Sequence, residues 1–140
     1  MYGLDKVMAG PELMSMKLRS PAATKGVAIH EAGHCLVAYL LNQNDQFFRK
    51  PRVATIVGRF WSNGHVGLQY DEKDGPERNT IPQMRCMIDT CMAGRAAEAI
   101  FYGEENVGTG AHSDMSRARS TAASIGKILT KIFVTNFELS

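Results

Sequence analysis

Residues 22–41 read AATKGVAIHEAGHCLVAYLL, with His30-Glu31-Ala32-Gly33-His34 at the centre. Val27, Ala28, Ala32, Cys35, Leu36 and Leu40 recur at helical spacing, which predicts a helix across this stretch. Ile29 and Val37 extend the apolar character nearly all round it, which predicts a mostly buried helix. Residues four apart on a helix share one face a turn apart, so the two imidazoles can converge on one metal ion. Zinc suits two imidazoles and one carboxylate in tetrahedral array, the fourth position being left for water. Glu31, beside the first histidine, is placed to take a proton from that water. With four His and eight Glu in the chain, the pattern arises by chance roughly 0.6% of the time. The bland alternative is a solvated helix face with two ordinary histidines. Its apolar neighbours oppose it, because imidazoles and a carboxylate inside a buried helix need partners or a metal to offset desolvation.

Outward from this motif, 140 residues are one domain's worth of chain. Hydrophobic residues at 44% and charged residues at 21% are ordinary globular composition and argue against disorder. Sixteen basic against fourteen acidic residues leave a net charge of +2, too little to imply a nucleic-acid surface. Cys35, Cys86 and Cys91 are odd in number and form no CxxC pair, so they read as buried thiols of a reducing compartment. The longest apolar run, residues 35–41, is far shorter than a bilayer span, and Asp5, Lys6 and Glu12 interrupt any signal-peptide pattern. As written, the chain reads as soluble and intracellular.

Residues 1–22 carry Gly3, Gly10, Pro11 and Pro21 and read as a lead-in, with the domain proper over 23–140. Residues 42–51 read as a polar loop. Residues 53–57 and 65–70 are β-prone runs separated by a segment containing Ser62-Asn63-Gly64, which predicts a hairpin. Residues 71–79 form a charged loop. Thr80 is the expected cap of a second helix, with Pro82 in its first turn and Gly103 at its stop. Its apolar face is Ile81, Met84, Ile88, Cys91 and Met92. After a Gly108-Thr109-Gly110 turn, Ser113 is the expected cap of a third helix running to about Phe133. Met115, Ala118, Ala122, Ile125, Leu129 and Ile132 form its stripe, and both stripes read as core. The fold expected is mainly α (α+β): an HEXXH helix, a small hairpin and two further long helices.

A catalytic metal needs a third protein ligand. His65, His112, Asp114 and Glu98 are the candidates. Asp114 lies in the first turn of the third helix, where the helix N-terminus favours an ionised carboxylate. Glu98, among Ala96, Ala97 and Ala99, suits a residue that holds a ligand histidine from behind, though it remains an alternative ligand. His65 and His112 read as loop or surface histidines.

The sequence resembles the peptidase domain of the FtsH-type AAA metalloproteases. Asp5-Lys6-Val7-Met8-Ala9-Gly10-Pro11-Glu12 resembles that family's segment between ATPase and peptidase. His30-Glu31-Ala32-Gly33-His34 resembles its zinc helix, and Gly94-Arg95-Ala96-Ala97-Glu98 its second long helix. Thr109-Gly110-Ala111, Ser113-Asp114 and Arg117-Ala118 resemble the segment carrying its aspartate ligand. The resemblance implies Zn2+ held by His30, His34 and Asp114, Glu31 as general base, a polypeptide substrate, and six subunits in a ring in the full enzyme. It also implies an ATPase module as partner, in the same or another chain, and membrane association of a full-length parent in a bacterial inner membrane, mitochondrion or plastid. The run Val66-Gly67-Leu68-Gln69 resembles the strand near the family's active site and is a candidate edge for substrate strand addition.

Three departures accompany the resemblance. No GxxxxGK[ST] sequence occurs and no membrane helix is found; the family's further C-terminal helices are absent after Ser140; and residues 49–79, with Phe60, Trp61 and Gly64, match loosely and look enlarged. The expectation is therefore a zinc endopeptidase domain. The alternatives are a catalytically weak or inactive module of the same fold with a structural or interaction role, and a zinc hydrolase acting on something other than protein.

Overall fold

A computed structural model describes residues 19–44, 49–58, 63–70 and 80–138. Most of the lead-in (residues 1–18), the charged loop 71–79, and Phe60 and Trp61 lie outside the described residues. The elements run α1 (Pro21–Gln43), β1 (Arg49–Thr55), β2 (His65–Tyr70), α2 (Ile81–Tyr102) and α3 (His112–Glu138), so the fold is mainly α, with one small antiparallel sheet among the described residues. Short 3-10 turns at Glu104–Asn106 and Thr109–Ala111 join α2 to α3.

Local chemistry sets the helix ends. The Ser20 hydroxyl accepts a hydrogen bond from the Ala23 N–H at 3.2 Å, and Pro21 occupies the first turn of α1, where its missing N–H is harmless. At the start of α2 the Thr80 N–H donates to Gln83 Oε1 at 3.2 Å, half of a capping box. Gly103 ends α2 at φ 85°, a left-handed conformation that glycine adopts without steric cost. The 3-10 turn at Thr109–Ala111 runs directly into α3, so Ser113 lies inside the first helical turn and is not its cap. Likewise, β1 begins at Arg49 and ends at Thr55; the first three residues of the strand fall in what reads from sequence as loop. Pro51 lacks an N–H yet is accommodated beside an irregularity in register between Pro51 and Val53.

Helix α1 packs chiefly on α2, α2 on α3, and the hairpin on α1. The approach of α1 to α2 is close because small residues face each other. A Cβ on Gly33 would lie 2.5 Å from the Ala93 carbonyl oxygen and 2.7 Å from Ala97 Cβ. Ala38 and Cys86 centre the apolar core, with Leu41, Leu68 and Met87 against them.

The burial pattern corrects two expectations. Helix α1 is not buried all round: Leu36, Tyr39 and Leu40 are exposed, and Ala32 with them. Its inward face carries Ile29, Glu31, His34 and Ala38. A helix packed on one side has room inside for only one face, and here that face bears the polar motif. The stripes of α2 and α3 are also incompletely covered among the described residues. Met92, Met115, Ala122, Leu129 and Ile132 are exposed, whereas Cys91 and Ala118 are buried.

Candidate active site

The convergence of α1, α2 and the N-terminal turn of α3 builds a cluster from residues distant in sequence. His30 Nε2 lies 3.0 Å from His34 Nε2, and Asp114 Oδ2 lies 3.2 Å from the first and 3.3 Å from the second. These three residues form a group able to hold a metal ion. For tetrahedral coordination with bonds of about 2.0–2.1 Å, neighbouring ligand atoms stand about 3.3 Å apart, close to all three sides of this triangle.

The opposite ring nitrogens fix what the triangle presents. His34 Nδ1 lies 2.6 Å from the Thr90 carbonyl oxygen, which only accepts, so Nδ1 carries the proton and the neutral ring offers a lone pair at Nε2. His30 Nδ1 lies 2.6 Å from Glu98 Oε1, which orients that ring in the same sense. Two lone pairs and a carboxylate oxygen aimed at one point repel one another unless a proton or cation sits between them. Gly94 leaves the room required, since a Cβ there would lie 2.5 Å from His34 Nε2 and 2.6 Å from His30 Nε2.

Glu98 therefore stands behind His30 and outside the triangle. Its other oxygen, Oε2, accepts the Gly108 N–H at 2.8 Å, tying α2 to the turn that leads into Asp114. Glu31 is buried, at 7% exposure. Gly64 packs over it: a Cβ at Gly64 would lie 2.8 Å from Glu31 Oε1 and 2.7 Å from the Thr55 carbonyl oxygen. A cleft of about 490 Å³ opens onto His30, Glu31, His34 and Asp114, with His65, Val66 and Leu68 of β2 on another wall. His112 is exposed and Gly67 and Gln69 do not line this cleft.

The ionisation of these groups follows from their contacts. Hydrogen bonding to Asp114 raises the His30 pKa above its ordinary 6.5, against burial and with help from Glu98. Burial opposes charge on His34, but Asp114 and the Thr90 carbonyl outweigh it and raise that pKa too. Burial likewise works against an ionised Asp114, yet the two imidazoles hold its carboxyl well below the usual range. Burial raises the Glu31 pKa, with the neighbouring histidines opposing.

Linkage gives these shifts a sign. Raised histidine values contribute stability that is complete below about 6.5 and lost as pH rises through the folded-state values. The depressed aspartate contributes above about 3.9 and loses its share as pH falls. The metal-free protein is accordingly expected to melt highest between roughly pH 4 and 6.5 and progressively lower toward pH 9. A divalent metal ion should reverse the upper slope, because it requires both histidines deprotonated. Melting temperature against pH, with and without metal, measures this; a metal-free protein that gains stability from pH 6 to 9 would refute it.

Several of these contributors have no side-chain signal in the sequence. The Thr90 carbonyl and Gly108 N–H are backbone groups, and the parts played by Gly64 and Gly94 depend on how closely two elements approach. Gly94 does fall inside the family-like stretch 94–98.

Comparison with known proteins shows the family of the chain. A model of peptidase family M41 matches residues 17–129. The "ATP-dependent zinc metalloprotease YME1 homolog" of Caenorhabditis elegans is 33% identical over 124 residues, covering 89% of this chain and 16% of that protein. The "ATP-dependent zinc metalloprotease FtsH" of Mycoplasmopsis pulmonis is 37% identical over 119 residues, covering 85% and 15%. The "Mitochondrial inner membrane i-AAA protease supercomplex subunit YME1" of Saccharomyces cerevisiae is 34% identical over 121 residues, covering 86% and 15%. The chain thus spans about one-sixth of the length of these relatives, and among its described residues no helix is long and apolar enough to cross a membrane. Matched by the family model over most of its length, with the HEXXH helix and the carboxylate it faces inside the matched region, the chain belongs to peptidase family M41.

Proposed function

We propose that the chain is the proteolytic domain of a zinc endopeptidase, with His30, His34 and Asp114 holding the metal and Glu31 as general base. The observation that carries this reading is the triangle of ligand atoms, 3.0–3.3 Å on a side, beside a buried carboxylate in one cleft. Zinc bound there would supply Lewis-acid polarisation of the scissile carbonyl and acidify the attacking water. Glu31 then takes a proton from that water at its carboxylate and returns it to the departing amine nitrogen. Burial suits it to this work, because a desolvated carboxylate is a stronger base than one in water. Asp114 holds both imidazoles at one point, Glu98 holds His30 from behind, and Gly64 keeps the Glu31 carboxylate covered from the hairpin side.

The substrate is an extended polypeptide. Among the described residues strand β2 pairs with β1 alone, and Val66-Gly67-Leu68-Gln69 would offer backbone groups to a substrate strand on its other edge. Recognition through backbone reads extension more than sequence, so specificity is broad and folded proteins need prior unfolding. An ATPase module, in the same or another chain, supplies that unfolding, by similarity to the "ATP-dependent" relatives; the ring of six rests on the family resemblance alone.

The test is metal content together with cleavage of casein, an unfolded substrate. The purified protein is expected to carry about one zinc per chain, to cleave casein, to lose cleavage on chelation and to regain it with zinc. Zinc without cleavage would support a purely structural module instead, and no metal at all would sink the zinc reading.

A further inference from the structure

We propose that His65 is a catalytic residue of this cleft, donating a hydrogen bond from its ring to the carbonyl oxygen of the scissile peptide as that oxygen becomes tetrahedral and negative. The inference rests on the peptidase reading above and adds a residue to it.

Three histidines line the cleft, and they differ in how their nitrogens are used. His30 spends one nitrogen on Glu98 and the other on the ligand triangle; His34 spends one on the Thr90 carbonyl and the other on the same triangle. His65 Nδ1 is buried and has no hydrogen-bond partner among the described residues. Nearly all buried polar groups in folded proteins are paired, and an exception inside a functional cleft marks a group whose partner arrives later.

The position of His65 says what that partner is. It is the first residue of β2 and follows Gly64, the residue packed over the Glu31 carboxylate. Adjacent Cα atoms are about 3.8 Å apart, so the His65 backbone starts close to the general base. The ring does not belong to the metal-binding group, which comprises His30, His34 and Asp114. Strand β2 is also the one whose free edge faces substrate in the proposed binding mode, so its first side chain in the cleft meets the substrate backbone. That backbone offers carbonyl oxygens and N–H groups. Beside Glu31, whose ionised carboxylate can only accept, a ring N–H adds a hydrogen-bond donor to the developing oxyanion that a bound zinc would polarise. His65 is only half-buried, and a terminal χ2 torsion is broad, so rotation about Cβ–Cγ would turn Nδ1 toward the cleft that the residue lines. No proton is transferred in this step: the N–H stays on the ring, and the bond strengthens as charge gathers on oxygen.

Three variants of the zinc-loaded protein test this. His65→Ala removes the donor, His65→Phe keeps the ring's bulk without it, and His65→Asn places an amide nitrogen near the position of Nδ1. Casein cleavage is expected to fall roughly 10²–10³-fold in kcat for alanine and phenylalanine, with KM changed little, and to recover largely in asparagine. Binding of a peptidyl phosphonamidate, a tetrahedral mimic, should weaken in parallel, while zinc content and melting temperature stay at wild-type values. Phenylalanine as active as histidine, or losses that track melting temperature across the three variants, would overturn the assignment. Wild-type protein that holds zinc but neither cleaves casein nor binds the phosphonamidate would overturn the peptidase reading, and this inference with it. An active wild type with His65 variants equal to it overturns this inference alone.

Discussion

Glu31→Gln is expected to lower casein cleavage by about 10²–10⁴-fold, the usual share of a general base, with zinc content unchanged. Glutamine has nearly the volume of glutamate, so it fits beneath Gly64 where a larger residue would not. It keeps an oxygen in the same place and loses the ability to accept a full proton. Stability should not fall. Burial raises the Glu31 pKa, so the folded state holds the ionised form less readily than the unfolded chain does. At neutral pH that difference works against folding, and the neutral amide removes it. The variant is therefore expected to melt at or above the wild-type temperature, the pattern of a residue kept for chemistry at some expense of stability. Cleavage retained by Glu31→Gln would remove Glu31 from the mechanism. Loss of zinc in the same variant would make it a structural partner of the histidines, whose charge it feels in the folded protein.

How far the sequence reaches can be judged at particular residues. His30 and His34 were legible because a four-residue spacing on a helix has one geometric consequence wherever the helix sits. The limits of α2 were legible because Thr80 and Gly103 act locally, through a cap and a positive φ. The outward face of α1 was not. Leu36, Tyr39 and Leu40 carry a hydrophobic signal as strong as that of the inward face, and periodicity does not say which of two apolar faces meets the rest of the chain. The start of α3 lies two residues before the one a Ser113 cap predicts, because Ser113 has the chemistry of a cap and the backbone has already turned helical at His112. Asp114 and Glu98 could be named but not ranked firmly, since each lies far along the chain from His30 and the order depends on which ring nitrogen each one meets. The Thr90 carbonyl and the Gly108 N–H left no trace, because every residue but proline has both groups.

That order leads to the second large effect. Asp114→Asn is expected to abolish stoichiometric zinc binding, whereas Glu98→Gln should weaken it only by roughly 10–100-fold. Asparagine keeps the shape of Asp114 but removes the negative charge that offsets the metal's, and an amide oxygen is a much poorer zinc ligand than a carboxylate. It also removes the group that raises both histidine pKa values, so without metal the rings return toward ordinary titration. Glu98 acts one step back, on His30 Nδ1 at 2.6 Å and on the Gly108 N–H at 2.8 Å. A glutamine there can present its oxygen to one of these donors only, because its NH2 must then face the other. One of two links is lost: either the ring of His30 is less firmly oriented, or the turn carrying α3 and Asp114 is less firmly tied to α2. Either loss loosens the triangle without removing a corner of it. Zinc affinity measured by competition with a chelator separates the two roles, and a Glu98→Gln protein that loses zinc while Asp114→Asn retains it would make Glu98 the third ligand.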